Sequence, residues 1–171
     1  MASLVTSEKF VMASPLYRQE EQFKRQGIMV SRQTMANWMI KTADWFKTIY
    51  DAMHADLVTR NILHADETEV QVLREDGRAA QTTSYMWLYR SGFDGPPIVL
   101  FDYQQTRAGI HPKAYLKGFA GYLHVDGWDA YDILRAYVIL VLCWAHARRK
   151  FDEAVKVLPE EGRQDPAAPA D

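Results

Sequence analysis

ILHADETEVQVL, residues 62–73, reads as a β-strand that carries two acids where a strand can least accommodate them. Ile62 and Leu63 lead in, residues 68–72 continue the strand, and Asp66 and Glu67 sit between them. Aspartate disfavours strand interiors, and a carboxylate taken out of water without a partner is costly. GYLHVDGWDAY, residues 121–131, repeats the pattern: an apolar run ends in Asp126, and Gly127 permits the chain to turn. Either motif alone is compatible with an ordinary surface carboxylate at a strand edge. Two of them, each at the end of an apolar strand, match the place where sites are built on sheets.

The sequence between and around these motifs supplies the remaining elements. Strand-like runs at 62–73 and 82–91 flank Glu75-Asp76-Gly77-Arg78, whose Asp-Gly is a hairpin-turn signal. Gly95-Pro96-Pro97 turns the chain into a third strand at 98–103. A short helix at 111–119, a buried strand at 121–125, a second short helix at 129–136, a strand at 137–143 and a basic amphipathic helix at 145–158 follow. The order β-β-β-α-β-α-β-α predicts an α/β fold with a ribonuclease H-like mixed sheet. In that arrangement the first strand lies beside the fourth, so Asp66 and Asp126 are expected to meet.

Before residue 60 the pattern is helical. Ser14-Pro15 can start a helix, with serine as cap, and Gly27 can end it. Ser31 then caps a second helix whose apolar positions Met35, Trp38, Met39, Trp45, Phe46, Ile49 and Met53 recur at helical spacing. The organisation expected is a helical region over 1–60, a core over 61–158 and a disordered tail over 159–171, where Pro, Ala and acidic residues leave nothing to bury.

Composition narrows the function classes. With 171 residues, 48% hydrophobic, the chain can bury one sizeable core. Its net charge of −2 gives no global pull toward polyanions, so a nucleic-acid surface must be local. The single cysteine, Cys143, excludes an intramolecular disulfide. The longest apolar run, 137–143, is too short to span a bilayer, and the first ten residues have no secretory apolar core. A cytoplasmic location, with no membrane partner, is expected.

Adjacent carboxylates are the usual means of holding divalent cations for phosphoryl transfer, so Asp66 and Asp126 are the expected catalytic and metal-holding residues. In CWAHARRKF, residues 143–151, Arg148, Arg149 and Lys150 read as phosphate contacts or as a solvated helix face. Cys143 and His146 have a spacing that could begin a zinc site, with His64 and His124 as the remaining candidates. A structural zinc site normally needs four Cys or His ligands, and a single cysteine argues against one. GIMVSRQTMANW, residues 27–38, resembles the turn and second helix of a helix-turn-helix, from which Arg32, Gln33 and Asn37 could reach base edges. Capped helical hairpins are also abundant in proteins that bind no DNA.

Taken together, PLYRQEEQFKRQGIMVSRQTMANW, ILHADETEVQVL, SYMWLYRSG, GPPIVLFDYQQTRAG, KGFAGYLHVDGWDAY and CWAHARRKFDEA resemble the transposases of the insertion sequence 66 family, in consistent order over about residues 10–158. The resemblance implies a ribonuclease H-like core that uses an acidic triad and Mg²⁺, with Mn²⁺ as substitute, to cut and rejoin DNA strands. It places the first catalytic aspartate at Asp66 and the second at Asp126. It also implies a longer protein, with a cysteine-rich zinc-finger region before this segment. The third acid is expected in a later segment of the form Asp-Asn-Asn-x-x-Glu-Arg. No such segment follows Phe151 in these 171 residues, and Glu153 is the local substitute. The chain is therefore expected to be a transposase core fragment or truncated copy, inactive alone, with DNA element ends as partner. Self-association, or binding to other proteins of the same element, is the further expectation. The rival readings are a non-catalytic DNA-binding or assembly module and a ribonuclease H-like nuclease.

Overall fold

The computed structural model describes residues 1–157, so the tail expected at 159–171 lies outside the described residues. Two compact units divide between Ala52 and Met53. No helix among the described residues is long and apolar enough to cross a membrane.

The first unit contains α1 (Ala2–Phe10), α2 (Leu16–Arg25) and most of α3, which spans Arg32–Leu57. Its core is Val5, Phe23 and Met35, with Leu16, Val30, Trp38 and Met39 packed around them. Ser31 caps α3 as the sequence predicts, its Oγ accepting the Thr34 N–H at 3.1 Å. Ser14 does not cap α2. Pro15 takes that position in extended conformation, and the Ser14 carbonyl accepts a hydrogen bond from buried Gln19 at 3.0 Å. Gly27, at φ +77°, ends the α2 segment in the left-handed region that glycine enters without steric cost. Helical periodicity over-read the core: Trp38 packs inward, but Trp45, Phe46 and Ile49 are exposed.

In the second unit, β1 (Ile62–Gln71), β2 (Thr83–Ser91), β3 (Val99–Gln104), β4 (Tyr122–Val125) and β5 (Ile139–Leu142) form one sheet in the order β3-β2-β1-β4-β5. β2 is antiparallel to both β1 and β3, whereas β4 is parallel to both β1 and β5. This is the ribonuclease H-like mixed sheet expected from the order of elements. Helix α4 (Ile110–Tyr115) precedes β4, and α5 (Trp144–Val157) follows β5. The short helix between β4 and β5 is a 3-10 helix, Asp129–Leu134, and not the α-helix expected over 129–136. The connection between β1 and β2 runs from 72 to 82, longer than a tight hairpin, and Glu75 and Arg78 within it bond to each other and to Ser84 of β2.

Strand alternation determines which residues enter the core. Leu63 and Ala65 of β1, Trp87 and Tyr89 of β2, Leu100 of β3, and Leu123 and Val125 of β4 are all buried. Leu116, Phe119, Tyr131, Leu134 and Val138 from the connecting segments are buried with them. Tyr89 stacks on Tyr115 at 4.0 Å, and Trp87 meets Tyr131 edge-on at 5.8 Å. Burying side chains of this size is worth about 1.5–3 kcal/mol each. Leu123 and Val125 thereby fix the strand that delivers Asp126.

Candidate functional site

The parallel register of β1 and β4 pairs His64 with His124, and their imidazoles stack at 4.7 Å. Burial, then the neighbouring His124 and Arg90, hold the His64 imidazole below its usual pKa. Two residues further along each chain come Asp66 and Asp126. With Glu67 they form a group in which one carboxylate oxygen from each residue lies within 4.8 Å of the others. The expected meeting of Asp66 and Asp126 is therefore present in the geometry.

The three acids differ in surroundings. Asp66 is exposed, and its Oδ1 accepts the N–H of Glu67 at 3.0 Å. Asp126 Oδ1 accepts the Trp128 N–H at 2.8 Å, a local turn made easier by Gly127 at φ +86°. Asp126 Oδ2 accepts Arg107 Nη2 at 3.1 Å. Glu67 follows Leu63 and Ala65 onto the core side of β1, and its side chain is only 1% exposed. One of its oxygens accepts Arg107 through Nε and Nη2, and the other accepts the Tyr131 hydroxyl at 2.6 Å.

Arg107 reaches this position from the loop after β3. Gly109, two residues on, lies so close to the 3-10 helix that a Cβ there would stand 2.1 Å from the Ala130 carbonyl oxygen. The guanidinium lies over the Trp128 ring at 4.1 Å from its centroid. Burial works against the Arg107 charge. The hydrogen bond and charge of Glu67, with Asp126, more than offset it and raise the pKa. Burial, then the bond to Glu67, pushes the Tyr131 hydroxyl far above the ordinary phenol range, so it stays a donor.

These acids open onto a cleft of about 580 Å³, which is also lined by Cys143, His146, Arg149, Lys150 and Glu153. Lys150 bonds Glu153 at 3.2 Å. Arg148, also on α5, is not among the lining residues and pairs with Asp152 at 3.8 Å. Arg32 belongs to the first unit, where its Nε lies 2.8 Å from Glu20. Among the described residues, the three acids are the group whose possible metal-ligand atoms converge, and Cys143 and His146 are not part of it. Carboxylate oxygens are hard donors suited to Mg²⁺ or Mn²⁺. Asp66 and Asp126 fit that role, since both face the cleft with more exposed side chains, whereas the Glu67 side chain is shut off from solvent between Arg107 and Tyr131.

The family model described as "Transposase IS66 family" matches residues 1–168. The chain belongs to that transposase family. Relatives include two proteins of Sinorhizobium fredii (strain NBRC 101917 / NGR234), both described as uncharacterized. Protein y4jD is 31% identical over 170 residues, covering 92% of this chain and 33% of its own length. Protein y4qI is 31% identical over 165 residues, covering 88% and 30%. The chain thus spans about a third of the length of the curated relatives it matches. Among solved structures, a simian T-cell lymphotropic virus intasome in complex with PP2A regulatory subunit B56 gamma aligns over 61% of this chain and 45% of its own, with 12% identity and a TM-score of 0.38.

The sequence reading of this transposase-family chain missed Arg107, Tyr131 and Trp128, and gave Glu67 no role of its own. One signal was available. Alternation from Leu63 and Ala65 puts Glu67 on the core side, where an acid requires a cation or donor.

Proposed function

We propose that this chain carries the metal-holding part of a transposase catalytic core that acts on DNA. Asp66 and Asp126 are the ligand residues, for Mg²⁺ with Mn²⁺ as substitute. The observation that carries this reading is the convergence of their carboxylates just past the paired stretch of the adjacent parallel strands β1 and β4, in a cleft that also contains Arg149 and Lys150. When bound, a divalent ion supplies positive charge opposite the phosphoryl oxygens and activates the attacking hydroxyl or water.

The chain's own residues bind and orient. Asp126 is held by the Trp128 N–H, and Asp66 by strand β1, so the two carboxylates are presented without rearrangement of the sheet. Arg149 and Lys150, on α5, are placed to take DNA phosphates along the same cleft. Arg148 and Arg32, each paired with an acid outside the cleft, are assigned lesser roles. Strand cleavage and transfer on element ends are the proposed activity of the whole family protein, assembled as an oligomer or with other proteins of the element. These 171 residues alone are expected not to join strands. Glu67 is enclosed by Arg107 and Tyr131 and Glu153 is paired with Lys150, which leaves Asp66 and Asp126 as the acids offered to a metal ion, and members of such a catalytic unit do not act additively.

Mn²⁺ titration followed by electron paramagnetic resonance tests the site. Weak binding, on the order of millimolar, is expected because two carboxylates leave much of the coordination shell to water. Binding should disappear in the Asp66→Asn, Asp126→Asn double variant, and equal binding by both proteins would overturn the reading. Duplex DNA binding by Arg149→Ala and Lys150→Ala should each lose about one unit of salt slope.

A further inference from the structure

We propose that Arg107 is the positioning residue of the acid cluster, a built-in counter-charge that holds Glu67 and Asp126 until a divalent cation takes over its part on Asp126. The proposal rests on the metal-holding role given to Asp66 and Asp126, and assigns Glu67 and Arg107 a different task.

One oxygen from each of three carboxylates lies within 4.8 Å of the others, and one of these side chains is almost fully out of solvent. A carboxylate taken out of solvent beside two others needs a cation or donors against it. Arg107 supplies one from a fixed position. Two of its nitrogens bond Glu67, Nη2 also reaches Asp126 at 3.1 Å, and its face rests on Trp128 at 4.1 Å. Tyr131 takes the remaining Glu67 oxygen at 2.6 Å. Glu67 is therefore the anchor of Arg107, and is not open to a metal ion. The link from Arg107 to Asp126 is different in kind. It is a single contact at 3.1 Å to a carboxylate that also faces Asp66 and the cleft. A cation arriving between Asp66 and Asp126 meets the guanidinium as a competitor for Asp126 Oδ2. It can displace that contact while the stronger bonds to Glu67 persist. Arg107 thus keeps the cluster assembled without metal and makes metal binding weaker than the two aspartates alone would give.

The sign of the effect separates this role from a merely structural one. Loss of a structural support would loosen Asp126 and weaken Mn²⁺ binding. Loss of a competing charge should tighten it. Arg107→Ala in the 171-residue chain should bind Mn²⁺ about tenfold more tightly, the scale of one partly exposed charge contact. It should also melt at a lower temperature in EDTA, with a Mn²⁺-induced rise in melting temperature larger than in wild type. Arg107→Lys, which keeps the charge, should stay near wild-type affinity. Arg107→Gln, which keeps a donor for Glu67, is the companion variant where Arg107→Ala does not fold, and it too should bind more tightly.

The two readings fail differently. Mn²⁺ binding that survives Asp66→Asn with Asp126→Asn sinks the ligand assignment, and this proposal with it. Asp-dependent binding that Arg107→Ala and Arg107→Gln leave unchanged or weaken sinks this proposal alone. Binding by Arg107→Ala where wild type shows none would support both, and no binding by either protein would overturn both.

Discussion

Among the described residues of the second unit are two clusters of glutamate, arginine and tyrosine, one centred on the middle of the long strand β1 and one on the loop after it. In the loop after β1, Glu75 accepts Arg78 at 2.9 Å, Ser84 Oγ at 2.9 Å and the Tyr103 hydroxyl, while Arg78 also donates to Ser84 Oγ at 2.6 Å. In the acid cleft, Glu67 accepts Arg107 and Tyr131. The residue types are the same and both glutamates are shielded, with side chains 9% and 1% exposed. The difference is charge balance. One arginine meets one acid in the loop, whereas in the cleft one arginine meets two of three converging acids and leaves the third, Asp66, without it. The loop cluster is complete, and the Tyr103 hydroxyl, foremost among its contacts, holds the Glu75 carboxyl below its ordinary range. The cleft cluster has negative charge to spare, on Asp66 and Asp126, facing a space large enough for a ligand. Unbalanced charge, more than the presence of acids, is what distinguishes the cleft cluster and makes it the candidate site.

The largest effect that tests this comparison should come from Glu67→Ala. It removes the anion from a guanidinium 31% exposed and leaves the buried Tyr131 hydroxyl without its acceptor. Breaking such a pair costs about 3 kcal/mol, the low end of the buried range because Arg107 retains some water and its contact with Asp126. Urea denaturation measures it. A cost below 1 kcal/mol would mean that Glu67 is not the anchor, and the likeness between the two clusters would be superficial.

Ser84→Ala should have a smaller effect. Ser84 is fully buried and bridges Glu75 and Arg78, so its loss should cost about 1 kcal/mol, the net worth of a typical hydrogen bond. Mn²⁺ affinity should not change, because the loop cluster has no charge to offer. A Ser84→Ala variant with altered Mn²⁺ binding would break the distinction between the two clusters.

The legible part of this molecule was the part encoded at short range. Alternating apolar residues with Asp-Gly and Gly-Pro-Pro turns gave the strand order, and that order placed β1 beside β4 with Asp66 near Asp126. Ser31 and Gly27 marked their helix ends for the same reason, since caps act within a few residues. What could not be read depends on contacts across the chain. Arg107 bonds a glutamate 40 residues earlier, and Tyr131 bonds the same residue across 64. Nothing in the local pattern of QQTRAG distinguishes an arginine bound for an acid cluster from a solvated one. The segment after Asp126 looked α-helical because its composition allows a helix. It forms a 3-10 helix that places Tyr131 against both Trp87 and Glu67. The exposed face of Trp45, Phe46 and Ile49 shows the opposite failure, a periodic pattern with no core beneath it.

The smallest effect should run against intuition. Asp66→Asn with Asp126→Asn removes two negative charges from a cluster of three acids in which a single arginine is bonded to two. Metal-free protein should therefore gain stability, by about 0.5 kcal/mol, since Asp66 is exposed and water screens most of the repulsion across a few ångströms. Asparagine keeps an acceptor oxygen for the Glu67 and Trp128 N–H groups, so the turn after β4 should survive. The same variant loses Mn²⁺ binding, and the stabilisation by saturating Mn²⁺ seen in wild type should vanish with it. Urea denaturation in EDTA, and again in excess Mn²⁺, measures both signs on one protein. In the loop cluster, where charge is balanced, removing an acid can only destabilise. A metal-free double variant less stable than wild type would show that Asp66 and Asp126 are held as structural partners. The spare charge in the cleft cluster would then be no mark of function.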